Sequence, residues 1–119
     1  MAQHNELGTK GEDAAVEFLK ALQHEILERN YRHGRAEVDI ISKDGRTIVF
    51  TEVKTRSTNA FGYPEEFVDK KKRTQMKRAA EEYMYQLKAD ADIRFDIISI
   101  NQKNGELIVH HIKDAFFHE

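Results

Sequence analysis

The sequence of 119 residues contains no cysteine and a single proline, Pro64. Without cysteine, the chain cannot form a disulfide-stabilised scaffold, a thiolate zinc site or a cysteine nucleophile. No segment approaches the roughly 18 consecutive apolar residues that a membrane-spanning helix requires, and the first residues lack the basic and apolar pattern of a signal sequence. We therefore expect a cytoplasmic protein.

Length and composition predict one globular domain over residues 1–119. Hydrophobic residues make up 39% of the chain and charged residues 34%, and no repeat or Pro/Gly/Ser-rich linker divides it. A compact domain of this size buries roughly 65% of the surface of its unfolded chain, which is enough to fold without disulfides.

The formal net charge of −2 conceals a basic segment. From Lys54 to Arg78 the chain has eight Lys or Arg residues and three acidic residues, a local balance of +5. A basic segment in an otherwise acidic protein indicates a surface directed at polyanions such as nucleic acid. The alternative is a solvated helix start that is rich in lysine.

Hydrophobic periodicity predicts the order helix, three strands, helix, two strands. The helical patterns run from Leu7 to Leu22 and from Phe67 to Leu87. The strands are predicted at Glu25–Arg32, Glu37–Ser42, Thr47–Thr55, Ile93–Ile100 and Glu106–Ile112, with hairpin turns at Asp44-Gly45 and Asn104-Gly105. This order predicts an α/β sandwich in which helices flank a mixed sheet.

Charged residues of two neighbouring strands are predicted to meet on one face of the sheet. Glu52 and Lys54 share a face because side chains alternate along a strand. A two-residue turn at Asp44-Gly45 would put Asp39 opposite Phe50, and therefore diagonal to Glu52 at roughly 7–8 Å between backbones. Two carboxylates at that separation can bind one divalent cation, with the Lys54 ammonium beside it.

The same three residues have a structural interpretation. Glu52 could pair with Lys54, and Asp39 with a nearby arginine, on an exposed sheet face. The apolar residues around the trio favour burial, and a buried carboxylate needs a partner or a metal ion. The choice between the metal site and the structural ion pair depends on the hairpin register, because a turn of odd length would point Asp39 to the other face of the sheet.

Asp39, twelve intervening residues and then Glu52-Val53-Lys54 resemble the signature of the PD-(D/E)xK nuclease superfamily, whose fold is restriction-endonuclease-like. The resemblance is closest to the bacterial YraN-type family, which is similar to archaeal Holliday-junction resolvases. Its pattern is found in Gly8-Thr-Lys-Gly11-Glu12-Asp-Ala-Ala15, Asn30-Tyr-Arg32, Glu37-Val-Asp39, Val49-Phe-Thr-Glu52-Val-Lys54-Thr-Arg56, Phe61-Gly62, Lys71-Lys72, Ala80 with Tyr83, and Arg94-Phe-Asp96. The resemblance implies a core order αβββαβ with an added C-terminal strand.

The resemblance also implies roles for individual residues. Asp39 and Glu52 would be metal ligands, Lys54 the catalytic ammonium, and Glu12 the further carboxylate of resolvase-like members. Glu12 has an alternative role as an acidic residue that suits a helix start. Ala36 departs from the glycine usual in the family, and the Gln-xxx-Tyr of exonuclease-like relatives is absent.

The leading functional hypothesis is a Mg²⁺-dependent endonuclease that hydrolyses DNA phosphodiesters, with branched or junction DNA as substrate and Mn²⁺ as a second usable cation. Relatives that cut four-way junctions often act as homodimers. The predicted phosphate contacts are Arg56, Lys71, Lys72, Arg73, Lys77 and Arg78, although Arg56 could instead cap the end of its strand. The alternative function is a nucleic-acid-binding or assembly module that does not cut. Arg94 and Asp96 are predicted to form a structural pair.

Overall fold

The computed structural model describes residues 6–56 and 68–117, with Glu6 described by its backbone alone. The two helices are α1 (Glu6–Ala21) and α2 (Lys70–Leu87). The five strands are β1 (Glu25–His33), β2 (Ala36–Asp44), β3 (Thr47–Arg56), β4 (Asp92–Lys103) and β5 (Glu106–Ile112). The predicted α/β class and element order are confirmed, whereas Phe61-Gly62 and Phe67 lie outside the described residues.

The five strands form one mixed sheet in the spatial order β1-β2-β3-β4-β5. The pair β3/β4 is parallel, and the other three neighbouring pairs are antiparallel. A parallel pair needs a crossover connection, which passes through α2, whereas the antiparallel neighbours are joined by short turns. No helix among the described residues is long and apolar enough to cross a membrane.

Two hydrophobic clusters lie on the two faces of the sheet. The α1-side core contains the buried residues Ala15, Val16, Leu19, Ile40, Ile98 and Ile100. The α2-side core contains Ala36, Val38, Ile41, Ile48, Phe50, Val68, Met76, Ala79, Ala80, Phe95, Ile97 and Phe116. Removal of this apolar surface from water is the main stabilising contribution, and it fixes each helix on its own face.

Helix α1 approaches β3 closely at one glycine. A Cβ atom on the buried Gly11 would overlap Thr55 Oγ1 and would lie 2.9 Å from Thr55 Cγ2. Gly11 therefore allows the first turns of α1 to pack against the end of β3, which brings Glu12 near the candidate site.

Helix α2 begins at Lys70, three residues later than the predicted start at Phe67. Asp69 has an extended backbone and caps the helix, because its side chain accepts a 2.9 Å hydrogen bond from the Lys72 N–H. Val68 is fully buried in the α2-side core but precedes this cap. It fits the apolar pattern without being helical, which is why periodicity alone placed the start too early.

The predicted β2–β3 register is wrong by two residues. The turn residues are Gly45 and Arg46, with Asp44 opposite Thr47, rather than Lys43 opposite Arg46. Gly45 has a φ of +63°, as a type II′ turn requires at its first central position. The shift is an even number of residues, so by itself it moves no side chain of the paired residues to the other face.

Candidate active site

Asp39 lies where strand β2 changes the face to which its side chains point. Val38 packs in the α2-side core and Ile40 in the α1-side core, although a regular strand would point both to one face. Asn30, which the β1–β2 register places opposite Asp39, has a positive φ of 54°. Simple alternation of side chains therefore fails at Asp39, which lies between the residues that point to the two faces of the sheet.

The strands β2 and β3 separate at the same point. Their ladder ends with Ile40 opposite Thr51, and the next pair along the register would be Asp39 and Glu52. Beyond the ladder, Asp39 Oδ2 accepts a 2.8 Å hydrogen bond from the Val53 N–H. The register therefore places residue Asp39 opposite Glu52 rather than diagonal to it, and the Asp39 carboxylate is held by the backbone of β3.

Glu52 is a buried carboxylate between two lysines. Its residue is 5% exposed, with Lys54 Nζ 3.5 Å from Oε2 and Lys72 Nζ 3.5 Å from Oε1. Oε1 accepts no hydrogen bond in the described part of the chain, although the Lys72 ammonium lies within the distance of an ion pair. The Lys54 contact matches the predicted trio and equally the structural ion pair that was the alternative.

The charge of Glu52 perturbs Asp39. Burial, followed by repulsion from Glu52, raises the pKa of the Asp39 carboxyl to about 7, with a smaller contribution from Glu37. The hydrogen bond from Val53 and the ammonium of Lys72 favour the ionised form but do not offset the other two causes. A second negative charge in this site is therefore unfavourable unless a cation is bound.

Lys72 is the site residue whose position the sequence did not reveal. Besides its contact with Glu52, its ammonium donates a 3.4 Å hydrogen bond to the carbonyl oxygen of Glu37. The sequence suggested Lys72 only as a phosphate contact. The available signal was helical phase, because Lys72 precedes the buried Met76 by about one turn and so faces the sheet.

Glu12 lies in the same open cavity as Asp39, with a volume of about 510 Å³. Its Oε1 accepts hydrogen bonds from Arg29 at 3.1 Å and from Asn30 at 3.4 Å. In residues 6–56 and 68–117, no three His, Asp or Glu side chains form a group that could hold a metal ion. The structure thus brings Asp39 and Glu52 together and leaves Glu12 engaged by Arg29.

Asp39 and Glu52 nevertheless fit a divalent cation. Glu52 Oε1 is buried and accepts no hydrogen bond from the described residues, and the raised pKa of Asp39 shows that its charge is not fully offset by its surroundings. Carboxylate oxygens are the ligands that Mg²⁺ prefers, usually one or two from the protein.

Comparison with known proteins gives the family. The Uncharacterised protein family UPF0102 matches residues 11–100. A UPF0102 protein of Christiangramia forsetii is 50% identical over 118 residues, covering 99% of each chain. UPF0102 proteins of Bacteroides thetaiotaomicron and Caldicellulosiruptor saccharolyticus are 45% and 49% identical, covering 98% and 93% of this chain and 97% of each relative. The chain belongs to the UPF0102 family. The predicted resemblance to the YraN-type family is thereby confirmed, and the match spans every residue of the candidate site.

The predicted phosphate contacts of this UPF0102 chain differ in their surroundings. Lys71, Lys77 and Arg78 are exposed on α2, and Arg78 lines an open groove of about 590 Å³ beside the β1–β2 turn. Arg73 donates a 2.9 Å hydrogen bond to the Val68 carbonyl and lies 5.6 Å from the ring centroid of Phe116. Lys77 Nζ lies 5.3 Å from the centroid of the Phe117 ring. Arg56 is exposed at the end of β3. Arg73 and Lys77 therefore have packing roles in addition to any contact with a polyanion.

A second polar cluster is structural, as the sequence suggested. Asp96 is fully buried and accepts two hydrogen bonds from Arg94, at 2.9 and 3.0 Å. The Asp96 carboxylate also forms hydrogen bonds with His111 Nε2 at 2.8 Å and with the Asp114 N–H at 3.0 Å. This cluster joins β4 to β5 and to the segment that follows β5.

Proposed function

We propose that this UPF0102 protein is a metal-dependent endonuclease of the PD-(D/E)xK superfamily that hydrolyses phosphodiesters in DNA, with branched or junction DNA as its substrate. The observation that carries the proposal is the opposition of Asp39 and Glu52 where β2 and β3 separate, with Lys54 beside Glu52. An open cavity reaches Asp39 from solvent, so a phosphate can approach this carboxylate.

Each side chain has a distinct task in this proposal. Asp39 and Glu52 would hold Mg²⁺, or Mn²⁺ in its place, and the Val53 N–H orients the Asp39 carboxylate before the cation arrives. When bound, the cation supplies a Lewis acid that activates water and offsets charge on the phosphate. The Lys54 ammonium contributes hydrogen bonds and positive charge to the reacting phosphate.

The exposed basic residues of α2 support DNA as the substrate. Lys71 and Arg78 are two turns apart and lie on the same side of the helix. Contacts from such residues to backbone phosphates are independent of sequence and sensitive to salt. Recognition of a branched structure by shape rather than by base edges is consistent with such contacts.

A second candidate function is a nucleic-acid-binding or assembly module that does not cut. It is favoured by the ion pairs of Glu52 with two lysines and by the hydrogen bond that engages Glu12 with Arg29. In this alternative the charged trio stabilises the fold, and α2 binds phosphates without any need for a divalent cation.

The two functions are separated by a cleavage assay on linear, flapped, single-stranded and four-way-junction DNA with Mg²⁺ or Mn²⁺. The endonuclease proposal expects cleavage by the wild type, none by Lys54→Ala or Asp39→Asn, and normal cleavage by Lys43→Ala, which removes an exposed lysine from the other end of β2. Cleavage that persists in Lys54→Ala would come from a contaminant. Salt-sensitive DNA binding without cleavage would support the second candidate.

A further inference from the structure

The two oxygens of Glu52 contact lysines from different elements. Oε2 faces Lys54 of the same strand, whereas Oε1 faces Lys72, which reaches the site from the first turn of α2. Both distances are 3.5 Å, longer than the 2.7–2.9 Å of a well-formed hydrogen bond from an ammonium to a carboxylate. The positive charge at Oε1 is therefore close but loosely held.

Lys72 can leave this position without disturbing its helix. Its backbone N–H donates the hydrogen bond to the capping side chain of Asp69, so the start of α2 does not depend on the Lys72 ammonium. The ammonium also donates a hydrogen bond to the Glu37 carbonyl oxygen at 3.4 Å. The four-carbon stem of lysine allows the charge to move by several ångströms while the backbone stays fixed.

We propose that Lys72 is a displaceable counter-ion of Glu52, which occupies the neighbourhood of Oε1 in the metal-free protein and competes there with a divalent cation. The proposal rests on the proposed function, because it assumes that Asp39 and Glu52 bind such a cation. An ammonium and a divalent cation near the same carboxylate repel each other, so removal of the ammonium strengthens binding of the cation.

The test is a calorimetric titration of the full chain with Mn²⁺ in the absence of nucleic acid. Lys72→Gln is expected to bind Mn²⁺ on the order of tenfold more tightly than the wild type. Lys72→Arg keeps the charge and should bind Mn²⁺ about as weakly as the wild type. Lys71→Gln removes the same charge from the neighbouring residue, which makes no ion pair among the described residues, and should change the affinity by less than about twofold.

The outcomes separate this proposal from the proposed function. Equal Mn²⁺ affinity in the wild type and Lys72→Gln, or weaker binding by Lys72→Gln, overturns the counter-ion role and leaves the endonuclease proposal intact. Absence of Mn²⁺ binding in both proteins overturns both proposals. Circular dichroism checks the fold of each variant. Lys72→Met, which retains most of the aliphatic stem, is measured alongside and gives the same comparison if Lys72→Gln does not fold.

Discussion

The Asp39 carboxylate accepts a 2.8 Å hydrogen bond from the Val53 N–H, which lies beyond the last backbone pair of the β2–β3 ladder. A side chain of one strand therefore satisfies a backbone donor of the next strand at the point where they separate. This contact holds the Asp39 carboxylate near Glu52. The repulsion between the two carboxylates can be tested.

Asp39→Asn should stabilise the metal-free protein at high pH. Burial and the charge of Glu52 raise the folded-state pKa of Asp39 to about 7, above its ordinary value of 3.8. Between these values the native state binds the proton more tightly than the unfolded state, so the wild type loses stability as pH rises through this window. The gain in Asp39→Asn should therefore grow from pH 4 to pH 8 and reach at most about 4 kcal/mol.

Chemical denaturation in EDTA at several pH values measures this gain. An advantage of Asp39→Asn that is absent at pH 8, or that is the same at every pH, would contradict the assigned environment of Asp39. Added Mg²⁺ should stabilise the wild type at pH 8, because a ligand that binds only the native state favours folding, and should stabilise Asp39→Asn much less.

Gly11→Ala should destabilise the protein by about 1–3 kcal/mol, because the added Cβ overlaps the side chain of Thr55. Gly8→Ala is the matched control, since a Cβ at Gly8 has no atom of the described residues within 4 Å. That variant should be stabilised by up to about 1 kcal/mol through the higher helix propensity of alanine. Thermal unfolding measures both, and Thr55→Ala should restore part of the stability that Gly11→Ala removes. Equal melting temperatures for the two glycine variants would refute the close approach of α1 to β3.

The double variant Lys71→Gln/Arg78→Gln should weaken DNA binding about equally for all sequences. For each duplex phosphate that the variant no longer binds, the slope of log K against log salt should become shallower by about 0.9. Fluorescence anisotropy over a range of salt concentrations, in EDTA and then in Ca²⁺, provides the measurement. Lys103→Gln, an exposed lysine at the end of β4, is the single-charge control. An unchanged slope would mean that these α2 residues are only a solvated surface.

Asp96→Asn should destabilise the protein by about 3 kcal/mol, because it removes the buried carboxylate that accepts two hydrogen bonds from Arg94 and leaves Asp44, 3.2 Å from Arg94, as the remaining acidic partner in the described part of the chain. Burial alone would raise the pKa of Asp96, but the hydrogen bonds from His111, Arg94 and the Asp114 N–H outweigh it and lower that pKa below 3.8. The stabilisation is therefore complete above pH 4 and disappears as pH falls through the folded-state pKa. Urea unfolding at pH 7 and pH 3 tests this, and a difference between wild type and variant that increases at pH 3 would contradict it.

Turn residues in the sequence correctly predicted that the two hairpins exist, but they did not fix the register of the β2–β3 hairpin. Asn104 and Gly105 both have positive φ and form the two central residues of the β4–β5 turn, as expected for Asn-Gly. The Asp44-Gly45 turn instead uses Gly45 and Arg46, because a single glycine with positive φ is enough for a type II′ turn. A dipeptide signal alone does not distinguish these two placements.

The sequence by itself determined the element order, the mixed α/β class and the faces of Glu52 and Lys54, because these depend on local periodicity and on strand alternation. It also predicted that Asp39 lies close to Glu52, and the two-residue error in register leaves these residues at neighbouring positions of the two strands. Only the tertiary structure decided that β2 changes face at Asp39, that Arg29 engages Glu12 and that Lys72 reaches Glu52. These contacts join residues distant in the chain, and their geometry depends on how the helices pack on the sheet, which no local pattern encodes.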